Sequence, residues 1–226
     1  VMNFNYPNCD IRLFDNTYKD KGEFADKMNQ IFKNKYGKSN NKFYAFNSFK
    51  INGVKEDSIG SVISRMAMSH NDCREYAIKY GYDYILHLET DVFPPSNVIE
   101  QLMVHGKKVI GGIYDRDEGK WRKLMVQKHI YSSPQNINSV NFEAGDDVYF
   151  IDGSVKSVSS VGLGCVLIHS SVFKNIPFRF VKGENNHPDS YFSEDCFRKG
   201  IKIYADTSVY CRHENKAWGV YGVDFN

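Results

Sequence analysis

The chain has 226 residues, of which 42% are hydrophobic, 25% are charged and 15% are aromatic, and this composition excludes a disordered protein. The length fits one α/β domain, so we expect a single domain over residues 1–226. The formal net charge of +2, from 29 basic and 27 acidic residues, gives no strong field for nucleic acid or an anionic membrane.

Strands and helices alternate in the first part of the chain. Short apolar runs at residues 11–14 and 43–46 predict strands, and apolar residues at helical spacing over residues 24–36 predict a helix between them. A longer helix is predicted at residues 58–80, where it ends before Gly81. These segments are typical of an α/β fold.

The next predicted elements form a βαβ unit. Residues 82–88 favour a central strand, Ser96 is expected to cap the helix that follows, and residues 108–110 predict another strand. Such units build parallel sheets, in which ligands bind beyond the carboxyl ends of the strands. We therefore expect a mostly parallel central sheet with its binding site at the end of residues 82–88.

The second part of the chain has a weaker pattern. Between residues 114 and 161, strands are predicted at 121–128 and 148–151. A buried strand, a short helix and a last strand follow at residues 165–168, 192–199 and 201–204.

Cysteine usage and hydropathy bear on location. The five cysteines are scattered and lack a C-x-x-C pair, which favours neither a disulfide framework nor a zinc site. No apolar run reaches the roughly 20 residues that span a bilayer. We expect a soluble, cytoplasmic protein, and its Asn- and Lys-rich composition would also suit a viral protein acting in a host cytoplasm.

The motif Glu89-Thr90-Asp91 lies directly after the strand predicted at residues 82–88. Two carboxylates at this spacing suit Mg²⁺ or Mn²⁺, which take oxygen ligands and are often shared with substrate phosphates. The spacing alone fits equally well a polar turn in which Asp91 caps a helix.

Two segments resemble one known family. Residues 82–95, YDYILHLETDVFPP, resemble the metal-binding DxD strand of nucleotide-sugar glycosyltransferases with the A-type fold, especially the family 2 catalytic domain of cellulose and chitin synthases. Residues 193–206, SEDCFRKGIKIYAD, with His213 beyond them, resemble the ED…R…G…I…D…H signature near the end of that domain. The resemblance covers about residues 15–213 and implies a three-layer α/β/α sandwich. It departs from the family at Glu89, where an aspartate is usual.

The resemblance implies roles for the residues of both motifs. Asp91 and His213 would hold Mn²⁺ or Mg²⁺, and Glu89 would contact the ribose or the ion. Asp195, or less favourably Glu194, would be the general base that takes the proton of the acceptor hydroxyl. A carboxylate at the start of a helix is physically suited to that task.

Further donor-binding positions are implied less strongly. They are Asp15, Arg65, Arg74, Thr90, Gly162, Gly164 and Trp218. Asn71 lies on the same predicted helix as the two arginines, whose planar guanidinium groups suit phosphate oxygens. Each position also has a structural interpretation, such as a turn at Asp15, a solvated helix face at Arg74 or packing at Trp218.

The resemblance implies a metal-dependent glycosyltransferase that moves a sugar from a nucleoside diphosphate sugar, with UDP as the expected nucleotide, to a hydroxyl group. About residues 1–113 would bind the donor, and about residues 114–226 would bind the acceptor and carry the base. Direct displacement would invert the sugar carbon, and retention remains an alternative.

Three other functions stay open. A phage-type DNA glycosyltransferase acting on hydroxymethylated bases would use the same site, so the acceptor could be a glycan, a protein or modified DNA. A sugar nucleotidyltransferase would share the acidic pair, although the sequence lacks a glycine-rich phosphate loop near its start. A non-catalytic carbohydrate-binding relic would not need Glu194, Asp195 and His213.

Overall fold

The computed structural model describes residues 6–15, 26–27, 30–31, 44–48, 59–117, 122–133, 136–141, 149–184 and 186–214. The principal helices are α1 (Ile59–Tyr80), α2 (Val98–Met103), α3 (Ser170–Phe173) and α4 (Pro188–Arg198). The strands are β1 (Ile11–Asp15), β2 (Tyr44–Ser48), β3 (Tyr84–Leu88), β4 (Val92–Phe93), β5 (Val109–Ile113), β6 (Asp115–Asp117), β7 (Arg122–Leu124), β8 (Val126–Ser133), β9 (Asn136–Asn141), β10 (Val155–Val158), β11 (Ser160–Val161), β12 (Cys165–His169), β13 (Ile203–Tyr210) and β14 (Arg212–His213).

A five-stranded sheet forms the centre of the molecule, in the order β10-β13-β5-β12-β3. Its strands are rich in β-branched and other apolar residues, and β5 is buried at every position. Two apolar clusters enclose the sheet, one around Phe173, Phe178 and Phe192 and the other around Leu102 and Tyr114. Such strands need cover on both faces, which is the reason for the layered α/β arrangement.

The pairing within this sheet is mixed rather than mostly parallel. Strands β5 and β13 pair in parallel, whereas β12 is antiparallel to both β3 and β5, and β10 is antiparallel to β13. The α/β class is therefore confirmed, but a mostly parallel sheet is not. The reason is that β12 returns late in the chain and inserts between β3 and β5, the two strands of the predicted βαβ unit.

Local predictions agree with the structure to different degrees. Helix α1 and strands β3 and β12 lie within two residues of their predicted bounds. The predicted cap at Ser96 is wrong, because Asn97 occupies the N-cap position of α2 and its side chain makes no capping hydrogen bond. The strand predicted at residues 148–151 is also wrong, since Tyr149 and Phe150 are helical. Much of the helix predicted at residues 24–36 lies outside the described residues.

In the described residues, four smaller sheets accompany the central one, and one of them pairs β1 with β2 in parallel. Strands β6 and β7 form a hairpin, β11, β8 and β9 form a three-stranded sheet, and β4 pairs with β14. None of the helices in the described ranges combines the length and the apolar character needed to cross a bilayer.

Candidate metal centre and substrate cleft

A short antiparallel ladder brings the two distant motifs together. His213 of β14 lies opposite Val92 of β4, and the backbone N–H of Glu214 donates to the carbonyl of Asp91. Between β3 and β4 the chain turns tightly, with the N–H of Val92 donating to the carbonyl of Glu89. The loop after β3 and the end of the last strand therefore meet at one corner of the molecule.

Glu89, Asp91 and His213 point a ligand atom each into this corner. One carboxylate oxygen from each acid and one imidazole nitrogen lie within 4.8 Å of one another. His213 Nε2 is 3.4 Å from a carboxylate oxygen of Asp91. Although that distance suits an ion pair, Nε2 makes no hydrogen bond and is buried.

The orientation of His213 leaves this nitrogen available as a ligand. Its Nδ1 lies 2.7 Å from the backbone carbonyl of Asp115, which can only accept, so Nδ1 carries the proton and donates it. When the ring is neutral, Nε2 therefore presents its lone pair to the two carboxylates. A second hydrogen bond of this kind commonly fixes the tautomer of a histidine that binds metal. Tyr114 holds the same ring from the side, edge to face, at 5.2 Å between centroids.

A divalent cation fits these three side chains. In octahedral Mg²⁺ sites, bonds of about 2.1 Å place neighbouring ligand atoms roughly 3 Å apart, close to the separation between His213 and Asp91. Two carboxylates and one imidazole suit Mg²⁺ or Mn²⁺ and leave positions open for water or phosphate. The buried Nε2 without a hydrogen bond is the group that such an ion would satisfy.

Glu89 is held in a dry, negatively charged setting. Burial, then the nearby carboxylates of Asp91 and Asp189, raise the pKa of Glu89 from 4.5 to about 7. A cation would reverse the electrostatic part of this effect by favouring the ionised carboxylate. Keeping these acidic groups ionised and close together is therefore unfavourable for the folded protein. A bound cation would offset that unfavourable free energy.

Two glycines allow Tyr114 to approach Glu89. The N–H of Gly164 donates to the Tyr114 hydroxyl at 3.0 Å, and the N–H of Glu89 donates to the carbonyl of Gly164 at 3.1 Å. A methyl group on Gly164 would lie 2.5 Å from this hydroxyl and 2.9 Å from a carboxylate oxygen of Glu89, and one on Gly162 would also clash with the hydroxyl. Burial and Glu89 raise the pKa of Tyr114 well above 10, so its hydroxyl stays protonated.

A cleft of about 210 Å³ opens beside this corner. Glu89, Tyr114, Gly162 and His213 line one part of it. Its other polar lining residues are Arg116, Lys123, Gln127, Ser160, His187, Asp189 and Ser190. Carboxylates, imidazoles, cations and hydroxyls thus share this cavity with apolar side chains, those of Met66, Leu124, Met125 and Val126. In such a mixed lining, the polar groups orient a ligand.

Asp189 is the carboxyl group that α4 brings to the cleft. Proline at position 188 starts this helix, and Asp189 lies in its first turn. Burial raises the pKa of Asp189, and His187 opposes that change. The influence of Asp189 on the pKa of Glu89 places the two carboxyl groups in one electrostatic environment.

Glu194 and Asp195 make other contacts on the same helix. Arg179 donates through Nε to Asp195 at 2.9 Å and through Nη2 to Glu194 at 2.7 Å, and its guanidinium lies over the Tyr191 ring. Arg198 donates to the second oxygen of Glu194. Neither acid is among the residues that line the cleft. The structure thus gives both predicted base candidates arginine partners outside the cavity.

The polar residues predicted on α1 also lie elsewhere. The guanidinium of Arg74 donates to the carbonyls of Phe173 and Lys174, and the amide of Asn71 exchanges hydrogen bonds with the backbone of Phe178. These contacts attach the segment after α3 to α1. Arg65 is buried but does not line the cleft, whereas its neighbour Met66 does.

The remaining predicted positions are spread more widely. Thr90 lies at the exposed turn between the two acids. Asp15 ends β1, where its backbone pairs with Ser48 of β2. Trp218 lies outside the described residues. Gly162 and Glu89 line the cleft, and Gly164 adjoins it through Tyr114, so these predicted donor positions do come together.

The sequence interpretation missed most of the cleft residues, among them Tyr114, Arg116, Lys123 and Asp189. For Asp189 a signal existed, because His187-Pro188 marks the first turn of a helix and Asp189 follows directly. Arg116 and Lys123 lie in the weakly patterned middle region, where no local pattern indicates which face of a hairpin meets a cavity. Tyr114 follows a buried strand and carries no motif.

The sequence matches no protein-family profile and no curated protein. Among solved structures, the chain is similar to GalNAc-T7 determined with UDP, GalNAc and Mn²⁺, with 11% identity and a TM-score of 0.55 over 95% of this chain and 39% of that one. The chain thus corresponds to well under half the length of GalNAc-T7. It also matches A197 from STIV, with 18% identity and a TM-score of 0.46 over 80% of this chain and 77% of that one. At such identities the likeness to GalNAc-T7 shows a shared fold.

Proposed function

We propose that this chain is a metal-dependent glycosyltransferase that moves a sugar from a nucleoside diphosphate sugar to an acceptor hydroxyl. One observation carries the proposal: Glu89, Asp91 and the hydrogen-bonded His213 converge beside a cleft that several charged side chains line. The fold shared with GalNAc-T7, a glycosyltransferase whose structure holds UDP and Mn²⁺, supports the same activity.

The metal ligands in this proposal are Asp91, Glu89 and His213. A bound Mn²⁺ or Mg²⁺ would supply Lewis-acid stabilisation of the departing diphosphate. The protein's part is to hold both carboxylates and Nε2 in place, through the carbonyl of Asp115 behind His213 and through Gly164 and Tyr114 beside Glu89. UDP is the expected nucleotide.

The transfer step requires a group that accepts one proton. As the acceptor oxygen forms its bond to the sugar carbon, the bond from that carbon to the diphosphate breaks, and the hydroxyl proton passes to a carboxylate. Asp189 lines the cleft, whereas Asp195 is held by Arg179. We therefore assign the base to Asp189 ahead of Asp195. Direct displacement by the acceptor oxygen, with either acid as the base, would invert the sugar carbon.

A donor-hydrolysis assay tests the proposal. The protein is incubated with a panel of UDP-sugars and Mn²⁺, and released UDP is measured with and without EDTA. We expect slow release of UDP that EDTA abolishes and that Asp91→Asn lowers by about 100-fold or more, because one ligand of the ion is lost.

The matched control is Asp83→Asn, which changes an exposed aspartate just before β3. It should hydrolyse the donor at the wild-type rate. If none of the UDP-sugars were hydrolysed and none raised the melting temperature with Mn²⁺, the proposed function would be refuted.

A further inference from the structure

Arg179 follows a residue that is attached to two helices. The side-chain amide of Asn71 on α1 exchanges hydrogen bonds with the backbone N–H and carbonyl of Phe178. The Phe178 ring stacks on Phe192 of α4, with 5.1 Å between the centroids. These contacts fix the backbone just before Arg179, so α1 and α4 together set the point from which its side chain leaves the chain.

The guanidinium of Arg179 meets three residues on one face of α4. Its Nε and Nη2 lie 2.9 and 3.3 Å from the two carboxylate oxygens of Asp195, and Nη2 also donates to Glu194 at 2.7 Å. The group lies 4.1 Å from the centroid of the Tyr191 ring. Residues three and four positions apart share one face of a helix. The planar fork of an arginine can pair with a carboxylate and stack on a ring at the same time.

Tyr191 carries a second link to the loop before α4. Its ring is buried, and its hydroxyl donates to the carboxylate of Glu184. Between Arg179 and Glu184 the chain turns tightly, because the N–H of Glu184 donates to the carbonyl of Val181 and Gly183 adopts a φ of +91°. The loop therefore contacts Tyr191 twice. We refer to Arg179, Glu184, Tyr191, Glu194 and Asp195 as the Arg179 cluster.

One helical turn separates this cluster from the cleft. The carbonyl of His187 accepts hydrogen bonds from the N–H groups of Ser190 and Tyr191, at 3.1 and 3.4 Å. The Ser193 hydroxyl donates to the carbonyl of Asp189 at 2.8 Å. The side chain of His187 makes no capping hydrogen bond that would fix the start of the helix. Contacts one turn later therefore help to hold this end of α4, where three residues line the cleft: His187, Asp189 and Ser190.

We propose that Arg179 is a positioning residue: through the Arg179 cluster it holds the first turn of α4 so that Asp189 and His187 face the cleft. The acidic pair at residues 194–195 then serves to bind Arg179, and the base lies one to two turns earlier in the helix. The effect on sugar transfer rests on the proposed function, whereas the placement of His187 does not. Several hydrogen bonds to one arginine hold a geometry better than an isolated surface ion pair does.

The first measurement needs neither metal nor substrate. The histidine ring signals are recorded by proton–carbon NMR at fixed pH in EDTA, with His187 identified from His187→Gln. In Arg179→Gln the His187 signal should shift, because the first turn of α4 is no longer held. Hydrogen exchange at the amides of Ser190 and Tyr191 should become about tenfold faster or more, since this turn opens more often. A wild-type His187 signal in Arg179→Gln would overturn the proposal.

The matched control is Arg198→Gln. Arg198 lies on the same helix and donates to the other carboxylate oxygen of Glu194, but it is 67% exposed and is not a member of the Arg179 cluster. This variant removes an equal charge and should leave the His187 signal unchanged. Equal shifts in the two variants would show that loss of charge, rather than loss of the cluster, moves His187, and would overturn the proposal.

The second measurement is sugar transfer at saturating donor and acceptor. Arg179→Gln should lower kcat by about 10- to 100-fold, since a small displacement of a reacting group has effects of this size. The affinities for Mn²⁺ and for the donor should stay at their wild-type values, whereas a general loss of structure would lower them together with the rate. An unchanged kcat, beside an active wild-type protein, would overturn the proposal.

Tyr191→Phe guards against a variant that fails to fold. It keeps the ring beneath the guanidinium and removes only the hydroxyl that binds Glu184, so the melting temperature should stay close to the wild-type value. The His187 signal should shift by less than in Arg179→Gln, and an unchanged signal in this folded variant would also overturn the proposal. A wild-type protein that transfers no sugar, with a shifted His187 signal in Arg179→Gln, would refute only the proposed transferase, and the positioning by Arg179 would stand.

Discussion

Two acidic clusters in this molecule have similar sequences but opposite surroundings. Glu89 and Asp91 flank one residue just after β3, and the imidazole nitrogen beside them, His213 Nε2, makes no hydrogen bond. Glu194 and Asp195 are adjacent on α4, and Arg179 and Arg198 satisfy them with short hydrogen bonds. The first cluster is arranged to receive a cation, whereas the second already has its cations.

The chemistry that is open to an acidic motif depends on the groups that contact it. Arg179 pairs with Asp195 and fixes its orientation, which attaches the segment before α4 to this helix. Within the described part of the chain, Glu89 has no such partner, and its pKa rises to about 7. Carboxylates with a raised pKa, beside a cleft, are typical of functional sites.

Replacing the carboxylate in each candidate base gives the largest expected contrast. Asp189→Asn should lower the rate of sugar transfer by about 10²- to 10⁴-fold, because the acceptor hydroxyl loses its base. Asp195→Asn should lower it by less than about tenfold, since the amide oxygen still accepts from Arg179 and partly exposed ion pairs contribute little.

The measurement is single-turnover transfer at saturating donor, with donor affinity determined separately for each variant. Donor affinity should be retained in both variants. A large loss in Asp195→Asn together with near-normal transfer in Asp189→Asn would reverse the assignment and restore Asp195 as the base.

The pH dependence of stability should reveal the strained carboxyl group. Because burial and neighbouring acids raise the pKa of Glu89 from 4.5 to about 7, the folded protein binds a proton there that the unfolded chain releases. In EDTA, the free energy of unfolding should fall by roughly 1.4 kcal/mol per pH unit between these two values and then level off.

Urea unfolding of the wild-type protein and of Glu89→Gln, followed across that range, isolates the effect. The difference between the two proteins should grow as the pH rises from 4.5 to 7, in favour of the variant. With saturating Mn²⁺ the trend should reverse, because the ion binds the ionised carboxylate. Parallel curves for the two proteins would show that Glu89 is not strained.

A smaller effect is expected where the backbone makes room for Tyr114. Gly164→Ala places a methyl group against the Tyr114 hydroxyl and Glu89, so unfolding should become easier by about 1–3 kcal/mol and Mn²⁺ affinity should fall. Gly106→Ala is the control: nothing lies within 4 Å, and its positive φ of +58° gives strain of about 1–2 kcal/mol without an effect on Mn²⁺. Equal losses of Mn²⁺ affinity in both variants would contradict this packing.

Local sequence patterns predicted the fold where one element determines its own structure. Periodicity located α1, and continuous apolar runs located β3 and β12. Pairing between strands depends on distant residues, so no local pattern indicated that β12 would insert between β3 and β5. The predicted start of α4 at residue 192 is late, because the helix begins at the proline at position 188.

In the candidate site too, local motifs were predictable from the sequence, whereas contacts between distant residues were not. The resemblance named Glu89, Asp91 and His213, and the pairing of β4 with β14 brings them together. Whether an acid faces a cleft or an arginine depends on the orientation of its helix, which separates Asp189 from Asp195.

The central claim is that one divalent cation binds between Glu89, Asp91 and His213. Titration of Mn²⁺ followed by electron paramagnetic resonance measures it directly, in the wild-type protein, in His213→Ala and in the control His169→Gln, which changes a histidine at the start of α3. We expect one Mn²⁺ per chain in the wild type and the control, and an affinity at least about tenfold lower in His213→Ala. Equal Mn²⁺ affinity in all three proteins, or no binding by the wild type, would contradict the account.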